Sequence, residues 1–355
     1  MEIVRLEDIC TTTTSNLTLK ELDKNNGAYP VYGASGLIKY IDFYNQDKEY
    51  IGIVKDGAGI GRVMLLPKNS SILGTMQYIF PNENIDIKYL YFNLIKMNLK
   101  KYYSGSTIPH IYFKDYKKEK IKLYSFEKQK KIAKILENIS NIIEKKKQKL
   151  QEYELLSKCL FEVEFLNKSY YKYPLCECTT FIDYRGRTPQ ISSEGTIQMI
   201  NAKSVGKNNF KYIDEFVTEE IYNLCMTRGL GEAGDILFVT EGHTFGNVCI
   251  IPENLKKFAL GQRVITIRGK KEQILNKYLC YYMQTEEFKK DINMYKTGGT
   301  AQGIRSKDLG KILIPIPELK LQNQFAERVK LIEKSKFLLL NFLKIQDLRI
   351  FKVEL

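Results

Sequence analysis

The stretch Asp56-Gly57-Ala58-Gly59-Ile60-Gly61-Arg62-Val63 returns later in the chain as Glu241-Gly242-His243-Thr244-Phe245-Gly246-Asn247-Val248. A glycine-bounded turn between β-branched runs predicts a tight hairpin in both places. Four further matches flank this pair in the same order: Lys39–Asp42 with Lys211–Asp214, Leu73–Gly74 with Leu260–Gly261, Lys88–Leu90 with Lys277–Leu279, and Ser104–Ile111 with Thr297–Ile304. Five matches in one order predict an internal duplication that runs through the whole chain.

Each copy contains the same succession of predicted elements. A β-rich run is followed by a helix, then by a loop of glycine and hydroxyl residues, then by a short strand. In the first copy these are the strand 49–54, the helix 87–101, the loop 104–110 and the strand 121–123. In the second copy they are the strand 235–239, the helix 273–290, the loop 297–305 and the strand 312–314. We therefore expect two related domains of mixed α and β structure.

A long helix follows each copy. Neither proline nor glycine interrupts residues 126–161 or 319–355. Apolar residues recur there with alternating steps of four and three, and each one in the second helix lies 193 positions after its counterpart. A mean step of 3.5 is the coiled-coil period. The predicted seam residues are Ile132, Leu136, Ile139, Ile143 and Leu150 in the first helix, and Phe325, Val329, Ile332, Leu339 and Leu343 in the second.

These patterns predict an α+β fold in which two duplicated mixed α/β domains are separated by two long helices that pair as an antiparallel coiled coil. The expected boundaries are 1–125 for the first domain, 126–165 for the central helix, 166–318 for the second domain and 319–355 for the final helix. The alternative is a pair of amphipathic helices, each lying on a globular domain. The length of each stretch favours pairing, because helices in globular proteins are typically shorter.

The charge of the chain indicates its kind of partner. Lys and Arg number 55 against 41 Asp and Glu, which gives a net charge of +14. Such a surplus favours a polyanion, usually nucleic acid, over the alternative of a solvated lysine-rich surface. No stretch approaches the roughly 20 apolar residues that cross a bilayer, and the N-terminus carries no secretory pattern. We expect a cytoplasmic protein with no membrane partner.

Several catalytic signatures are missing from the sequence. The spacing of Gly57, Gly59 and Gly61 is wrong for a dinucleotide fingerprint, and no phosphate-binding loop with a G-K-[ST] ending is present. No proline follows another, so the Asn/Asp-Pro-Pro-aromatic loop of an adenine methyltransferase is absent. Cys176 and Cys178 have no second pair to complete a zinc site. We expect a chain without catalytic residues, cofactors or metal ligands.

The loops carry the residue types that DNA recognition requires. Cations hold phosphates, whereas amides, hydroxyls and arginine forks read base edges. His110 becomes Gly303 in the second copy, so we interpret it as a base or phosphate contact and not as a catalytic group. The residues expected to contact DNA are Ser35, Lys39, Arg62, Ser106, Thr107, His110, Arg185, Arg187, Lys203, His243, Thr300, Gln302 and Arg305.

Taken together, these features resemble the specificity subunit of type I restriction–modification systems. The residues that carry the resemblance are Tyr32–Gly36, Asp56–Arg62, Ser104–His110, Gln129–Ala133 and the echo of the last in Pro315–Ala326. Each motif is weak alone, but their order and duplication cover essentially the whole chain.

The resemblance implies two target-recognition domains, each reading one half of a split sequence in double-stranded DNA. It implies that the paired helices measure the unread spacer and dock two methyltransferase subunits, and that a motor-nuclease subunit joins for cleavage. The chain would then direct adenine methylation and restriction without catalysing either. One departure is that the final helix ends at Leu355 with little tail, which leaves a closing contact between the termini in doubt.

Two other functions remain open from the residues alone. One is a coiled-coil scaffold with two protein-binding domains, which predicts partner binding that is insensitive to salt. The other is a nuclease that acts by itself, which the lack of a repeated acidic cluster disfavours.

Overall fold

The computed structural model describes residues 2–23, 25–105, 109–297 and 302–350, with side chains up to residue 343. The chain divides into two compact units, Met1–Gln148 with Asn341–Leu355, and Lys149–Leu340. Each division falls inside one of the two long helices. Among the described helices, none has the length and apolar character that crossing a membrane would require.

The first copy contains nine strands and five helices within the described residues. In chain order they are β1 (Glu2–Arg5), α1 (Leu6–Ile9), β2 (Cys10–Thr14), α2 (Leu19–Leu22), β3 (Tyr29–Gly33), β4 (Gly36–Ile41), β5 (Tyr50–Val54), β6 (Val63–Leu66), β7 (Ser71–Ile72), β8 (Met76–Pro81), α3 (Ile87–Lys96), α4 (Phe113–Tyr116), β9 (Lys120–Leu123) and the long helix α5 (Phe126–Phe161). A 3₁₀ turn, Leu99–Tyr102, lies between α3 and α4.

The second copy begins after a π-helical turn, Glu162–Leu166. Its elements are β10 (Lys172–Pro174), α6 (Leu175–Cys178), β11 (Thr179–Asp183), β12 (Ile197–Ile200), β13 (Phe216–Val217), α7 (Glu219–Cys225), β14 (Ile236–Val239), β15 (Val248–Ile250), β16 (Phe258–Leu260), β17 (Val264–Gly269), α8 (Asn276–Tyr282), α9 (Glu286–Met294), α10 (Ser306–Leu309), β18 (Leu313–Pro315) and the long helix α11 (Leu319–Ile350). A 3₁₀ turn, Ala202–Ser204, follows β12.

The sheets of the two copies correspond strand by strand. The first copy has a four-stranded sheet β2-β8-β5-β6, a three-stranded sheet β4-β3-β7 and the pair β1-β9. The second has β11-β17-β14-β15, β13-β12-β16 and β10-β18. In both three-stranded sheets one pairing is antiparallel and the other, β3 with β7 or β12 with β16, is parallel. The mixed α/β architecture and its duplication, both predicted from the sequence, are confirmed.

In each unit the four-stranded sheet is covered on one face by a helix and by the beginning of a long helix. The first core joins Ile53 and Ile79 of the sheet to Leu90 of α3 and Leu136 of α5. The second core is more aromatic, with Phe161, Phe165, Tyr278 and Phe325 in mutual contact. Burial of these large side chains supplies the main stabilisation of each domain.

A buried glutamine fastens the first turn of each long helix to its domain. The side chain of Gln129 is 1% exposed, and its Oε1 accepts a hydrogen bond from the N–H of Asp86, the N-cap of α3, at 2.9 Å. Its Nε2 donates to the carbonyl groups of Tyr124 at 2.9 Å and Asn84 at 3.2 Å. The amide therefore satisfies one donor and two acceptors of the main chain.

Gln322 repeats this arrangement in the second copy. Its Oε1 accepts from the N–H of Leu275 at 2.8 Å, and its Nε2 donates to the carbonyls of Pro317 at 2.8 Å and Gln273 at 3.1 Å. Leu275 is the N-cap of α8, as Asp86 is of α3. The two copies thus share not only strands but also the same buried polar contact.

Two predicted helices are shorter than the sequence indicated. The helix predicted over 87–101 ends at Lys96, because Asn98 adopts a left-handed conformation with φ 49° that turns the chain into a 3₁₀ segment. The helix predicted over 273–290 is two helices, α8 and α9. The hydroxyl of Thr285 donates to the carbonyl of Tyr282 and accepts from the N–H of Phe288, so it ends one helix and caps the next.

The first of the five sequence matches is not a structural equivalence. Lys39–Ile41 lies inside β4, whereas Lys211–Asp214 precedes β13. The equivalent strands are β4 and β13, which occupy the same place in their sheets but differ in sequence. The short sequence match therefore joined segments that are not equivalent. The predicted hairpin strands around residues 50–66 are confirmed as β5 and β6.

Burial along the long helices has more than one source: Leu136, Phe325 and Val329 belong to the domain cores, so pairing of the two helices along the seam stays a prediction. All ten seam residues are buried or half-buried. Residues on the opposite faces are well exposed, for example Ile135 at 59%, Leu155 at 62% and Leu331 at 67%.

We predict that Gln129→Leu and Gln322→Leu each lower the free energy of unfolding by about 1–3 kcal/mol, because each leaves buried main-chain groups without partners. Urea unfolding monitored by circular dichroism measures this loss. Gln151→Leu, on the exposed face of α5, is the matched control and should leave the midpoint nearly unchanged. Equal midpoints for all three variants and the wild type would contradict the role assigned to the two amides.

Candidate nucleic-acid interface

In the first copy, the turn between β5 and β6 is joined to the loop 103–112 by main-chain hydrogen bonds. The N–H of Gly57 donates to the carbonyl of Pro109 at 3.1 Å, and the N–H of Ile111 donates to Lys55 at 2.9 Å. Ser104 and His110 exchange two hydrogen bonds of 2.9 and 2.8 Å across the loop. The hairpin and the loop therefore form one main-chain frame.

The second copy builds the same frame. The N–H of Gly242 donates to the carbonyl of Gln302 at 3.0 Å, and the N–H of Ile304 donates to Thr240 at 2.9 Å. Thr297 and Gly303 exchange hydrogen bonds of 2.8 and 3.0 Å. Because all of these bonds are between main-chain atoms, the frame can carry different side chains outside its glycine turn, where Gly57, Gly61, Gly242 and Gly246 all have positive φ.

The side chains on the two frames differ. In the first copy His110 Nδ1 lies 2.7 Å from Asp56 Oδ1, and Lys55 Nζ lies 2.7 Å from Asp56 Oδ2. Burial raises the pKa of the Asp56 carboxyl, but the hydrogen bonds from His110 and Lys55 outweigh this effect, so its pKa is lower than usual. The ionised carboxylate only accepts, so Nδ1 carries the proton, while Nε2 makes no hydrogen bond within the described residues.

In the second copy the corresponding positions are Glu241 and Gly303. Glu241 Oε1 pairs with Arg263 Nε at 2.9 Å, and Gly303 has no side chain where the first copy has the imidazole. His243 is exposed on the hairpin turn, at the position of Ala58 and not of His110. The two predicted histidines therefore lie at different places on the shared frame.

Two residues of the first copy that were expected to contact DNA make hydrogen bonds within the domain. A guanidinium nitrogen of Arg62 donates to the carbonyl of Ala34, next to the exposed Ser35, and so ties the turn between β3 and β4 to the hairpin. Lys39 Nζ donates to the carbonyls of Leu22 at 2.6 Å and Asp23 at 3.3 Å. Ser35, Arg62 and His110 are thereby linked through one hairpin, while the ammonium of Lys39 is engaged with α2.

The second copy brings its predicted residues around the hairpin 241–247. Gln302 is exposed, and its Oε1 accepts from Lys296 Nζ at 3.3 Å. Arg305 is exposed at the N-cap of α10, and Lys203 pairs with Glu215 at 2.8 Å. Asn247, the counterpart of Arg62, donates to the carbonyl of Val205 at 3.1 Å.

Arg185 and Arg187 lie in the turn after β11. Arg185 Nη2 donates to the carbonyl of Ile304 at 2.8 Å, which places it against the loop that contains Gln302. Arg187 Nη1 donates to Thr227 Oγ1 at 2.8 Å. Arg228, next to Thr227, was missed by the sequence reasoning, although an arginine followed by glycine also occurs at Arg185. Ser106, Thr107 and Thr300 lie outside the described residues.

The ten seam residues lie on α5 and α11 and not in these loops. The residues expected to read DNA and those expected to pair the helices therefore belong to separate elements. No group of three or more His, Cys, Asp or Glu side chains suited to a metal ion occurs in the part of the chain that the structure describes.

The chain is similar in sequence to proteins of known description. The chain is 26% identical to the specificity subunit of the type I restriction enzyme MjaVIII of Methanocaldococcus jannaschii, over 94% of this chain and 86% of the relative. It is 21% identical to a putative type I restriction enzyme specificity subunit of Haemophilus influenzae, over 84% of this chain and 78% of the relative.

The fold is also similar to solved structures. The crystal structure of a type I restriction–modification S subunit from M. genitalium matches with a TM-score of 0.60 at 18% identity, covering 99% of this chain and 95% of that one. A chain from a structure of a type I restriction–modification complex matches with a TM-score of 0.57 at 15% identity and the same coverage.

The model of the type I restriction modification DNA specificity domain matches residues 1–155 and again residues 180–347. The two matches correspond to the two copies that the sequence and the sheets define, and together they cover most of the chain. The protein belongs to the family of type I restriction–modification DNA specificity domains.

Proposed function

We propose that this chain is the sequence-reading subunit of a type I restriction–modification complex, which recognises a split DNA target and directs adenine methylation and restriction by its partners. One observation carries the proposal: a main-chain frame built twice presents different side chains each time. Direct readout depends on side chains that match base edges. A fixed frame with exchanged side chains is therefore suited to reading two different half-sites.

The roles of the two copies follow from their loops. The first domain, 1–125, would read its half-site with residues around His110, and the second, 166–318, with Gln302 and Arg305. Glutamine can pair bidentately with adenine and arginine with guanine. The net charge of +14 supports contacts with the DNA backbone, which supply most of the non-specific affinity.

The long helices, 126–165 and 319–355, would pair as an antiparallel coiled coil that sets the spacer between half-sites. Contacts within each unit support this pairing. Glu164 pairs with Arg328, Glu154 Oε1 lies 3.2 Å from Lys336 Nζ, and Lys146 Nζ lies 4.2 Å from the ring centre of Phe342. As the residue number falls from Glu164, in the π-helical turn after α5, to Lys146 within α5, it rises along α11, which is the order expected of antiparallel helices.

The partners would be double-stranded DNA, two methyltransferase subunits and a motor-nuclease subunit. The chain itself would recognise the target without catalysing either reaction, in the cytoplasm where chromosomal DNA is accessible. The relatives carry the description of specificity subunits, so the alternative of a protein-binding scaffold is not retained.

One prediction from the proposed function concerns methylation. Production of this chain with its methyltransferase subunits in a host that lacks them should methylate adenines in one split motif, mapped by long-read sequencing of the genome. Gln302→Ala with Arg305→Ala should relax one half of the motif, and His110→Ala the other, each by about 1–3 kcal/mol of discrimination.

Phe43→Ala, an exposed residue that lies outside the two frames, serves as the control and should leave the motif unchanged. Methylation without any sequence preference, or a motif that survives loss of this chain, would contradict the proposed function. If both loop variants relaxed the same half, the assignment of one half-site to each domain would be wrong.

Another prediction from the proposed function concerns the length of the unread spacer. Duplication of residues 144–150 in α5 together with 333–339 in α11 adds one heptad to both helices, or about 10 Å. At about 3.4 Å per base pair this should lengthen the methylated motif by roughly three unread base pairs while leaving both half-sites unchanged.

Duplication in one helix alone is the control, because it shifts the seam of one helix against the other. We expect this variant to lose stability and methylation. An unchanged spacer in the double insertion, with methylation retained, would show that the helices do not measure the target.

A further inference from the structure

Three arginines of the second domain converge at the end of β11. Arg185 and Arg187 flank Gly186, whose φ of 81° allows the tight turn, and Arg228 lies on the loop after α7. Arg228 Nη1 donates to the carbonyls of Asp183 at 3.2 Å and Arg185 at 3.1 Å. We call Arg185, Arg187 and Arg228 the arginine cluster.

A buried tyrosine fixes the two loops that carry the cluster. Tyr184 is fully buried, and its hydroxyl donates to the carbonyl of Gly229 at 2.5 Å and accepts from the N–H of Arg228 at 2.9 Å. Arg187 adds its own hydrogen bond to Thr227. The guanidinium groups are therefore held in place before any ligand binds, which reduces the entropy lost on binding.

Among the described residues, the hydrogen-bond partners of the cluster are neutral. The guanidinium groups donate to main-chain carbonyls and to a hydroxyl. Other arginines of this domain are matched by acids, since Arg263 pairs with Glu241 and Arg268 pairs with Glu232 and Asp235. The nearby carboxylate of Asp183 is occupied by the N–H of Arg185 and the hydroxyl of Ser306.

One donor of the cluster has no partner at all within the described residues. The Nε of Arg185 is buried and makes no hydrogen bond, although a buried donor without an acceptor is costly. A guanidinium group has five N–H donors, and phosphate oxygens match its fork in pairs. An anion bound to the cluster would use the outward donors that carbonyl groups leave free.

The first domain has no counterpart of this cluster. Residues 1–125 contain only Arg5 and Arg62, whereas residues 166–318 contain six arginines and the same number of lysines as the first domain. The turn after β2, which corresponds to that after β11, reads Ser15-Asn16-Leu17. The cluster is therefore a property of one copy and not of the shared frame.

We propose that the arginine cluster is a phosphate-binding site that clamps the backbone of the DNA bound by the second domain. The inference rests on the proposed function and adds to it an unequal division of labour. The second half-site would be held by a preformed guanidinium clamp, and the first by side chains without one. A phosphate contact positions the duplex and carries no base preference.

The test uses the complex of this chain with its methyltransferase subunits and a labelled duplex that contains the methylated motif. Affinity is measured over a series of salt concentrations for the wild type and for Arg187→Gln with Arg228→Gln. Each lost phosphate contact should reduce the slope of log affinity against log salt by about 1. We expect a reduction of roughly 1 to 2, with the methylated motif unchanged.

Arg263→Gln with Lys257→Gln is the matched control, because it also removes two positive charges from the same domain, at groups already paired with Glu241 and Glu219. If the salt slope falls equally in this control, the effect comes from net charge, and the assignment of the cluster as a phosphate site is wrong. Arg187→Lys with Arg228→Lys keeps the charge but removes the fork, so we expect an intermediate affinity. Thermal unfolding of each variant checks that the domain is intact.

The remaining outcomes separate the cluster from the proposed function. A variant that keeps both slope and affinity overturns the cluster while the sequence preference of the wild type stands. If a variant no longer assembles with the methyltransferase subunits while the salt slope of DNA binding is unchanged, the cluster is a contact between proteins. That result also overturns the proposed phosphate site. A wild-type complex without any sequence preference defeats the proposed function itself.

Discussion

The buried amides of Gln129 and Gln322 are the contacts on which the arrangement of each copy depends. Each one joins the first turn of a long helix to the N-terminus of a domain helix and to the strand-to-helix connection. A hydrophobic residue could fill the same space but could not fix the rotation of the helix. Because the amide fixes that rotation, it also determines which helix face turns away from the domain.

The duplication, the hairpins and the long helices could be predicted because they depend on local patterns. Glycine turns between β-branched runs and a 3.5-residue period need no knowledge of distant contacts. The break at Asn98 and the second start at Thr285 could not be predicted in this way, since an apolar period continues through both. The match of Lys39 with Lys211 failed because short sequence identity does not encode strand register.

For the DNA interface the sequence predicts residue types, and contact of those residues with DNA stays a prediction. The structure places His110, Gln302 and Arg305 at the frames, and their partners depend on contacts between segments far apart in sequence. The hydrogen bond between His110 and Asp56 joins residues 54 positions apart, and Arg185 donates to the carbonyl of Ile304, which lies 119 positions away. Arg228 escaped notice because nothing in its own loop reveals that it lies beside the end of β11.

The frame of each domain is held by main-chain hydrogen bonds, and its turn is the part that requires glycine. Substitutions outside this turn therefore change what the surface presents without disturbing the hydrogen bonds that shape it. His110 and Gly303 occupy the same place on the two frames and show how far such exchange can go within one molecule. A protein built in this way can acquire a new preference by point mutation or by exchange of a whole domain, while its partners continue to bind an unaltered framework.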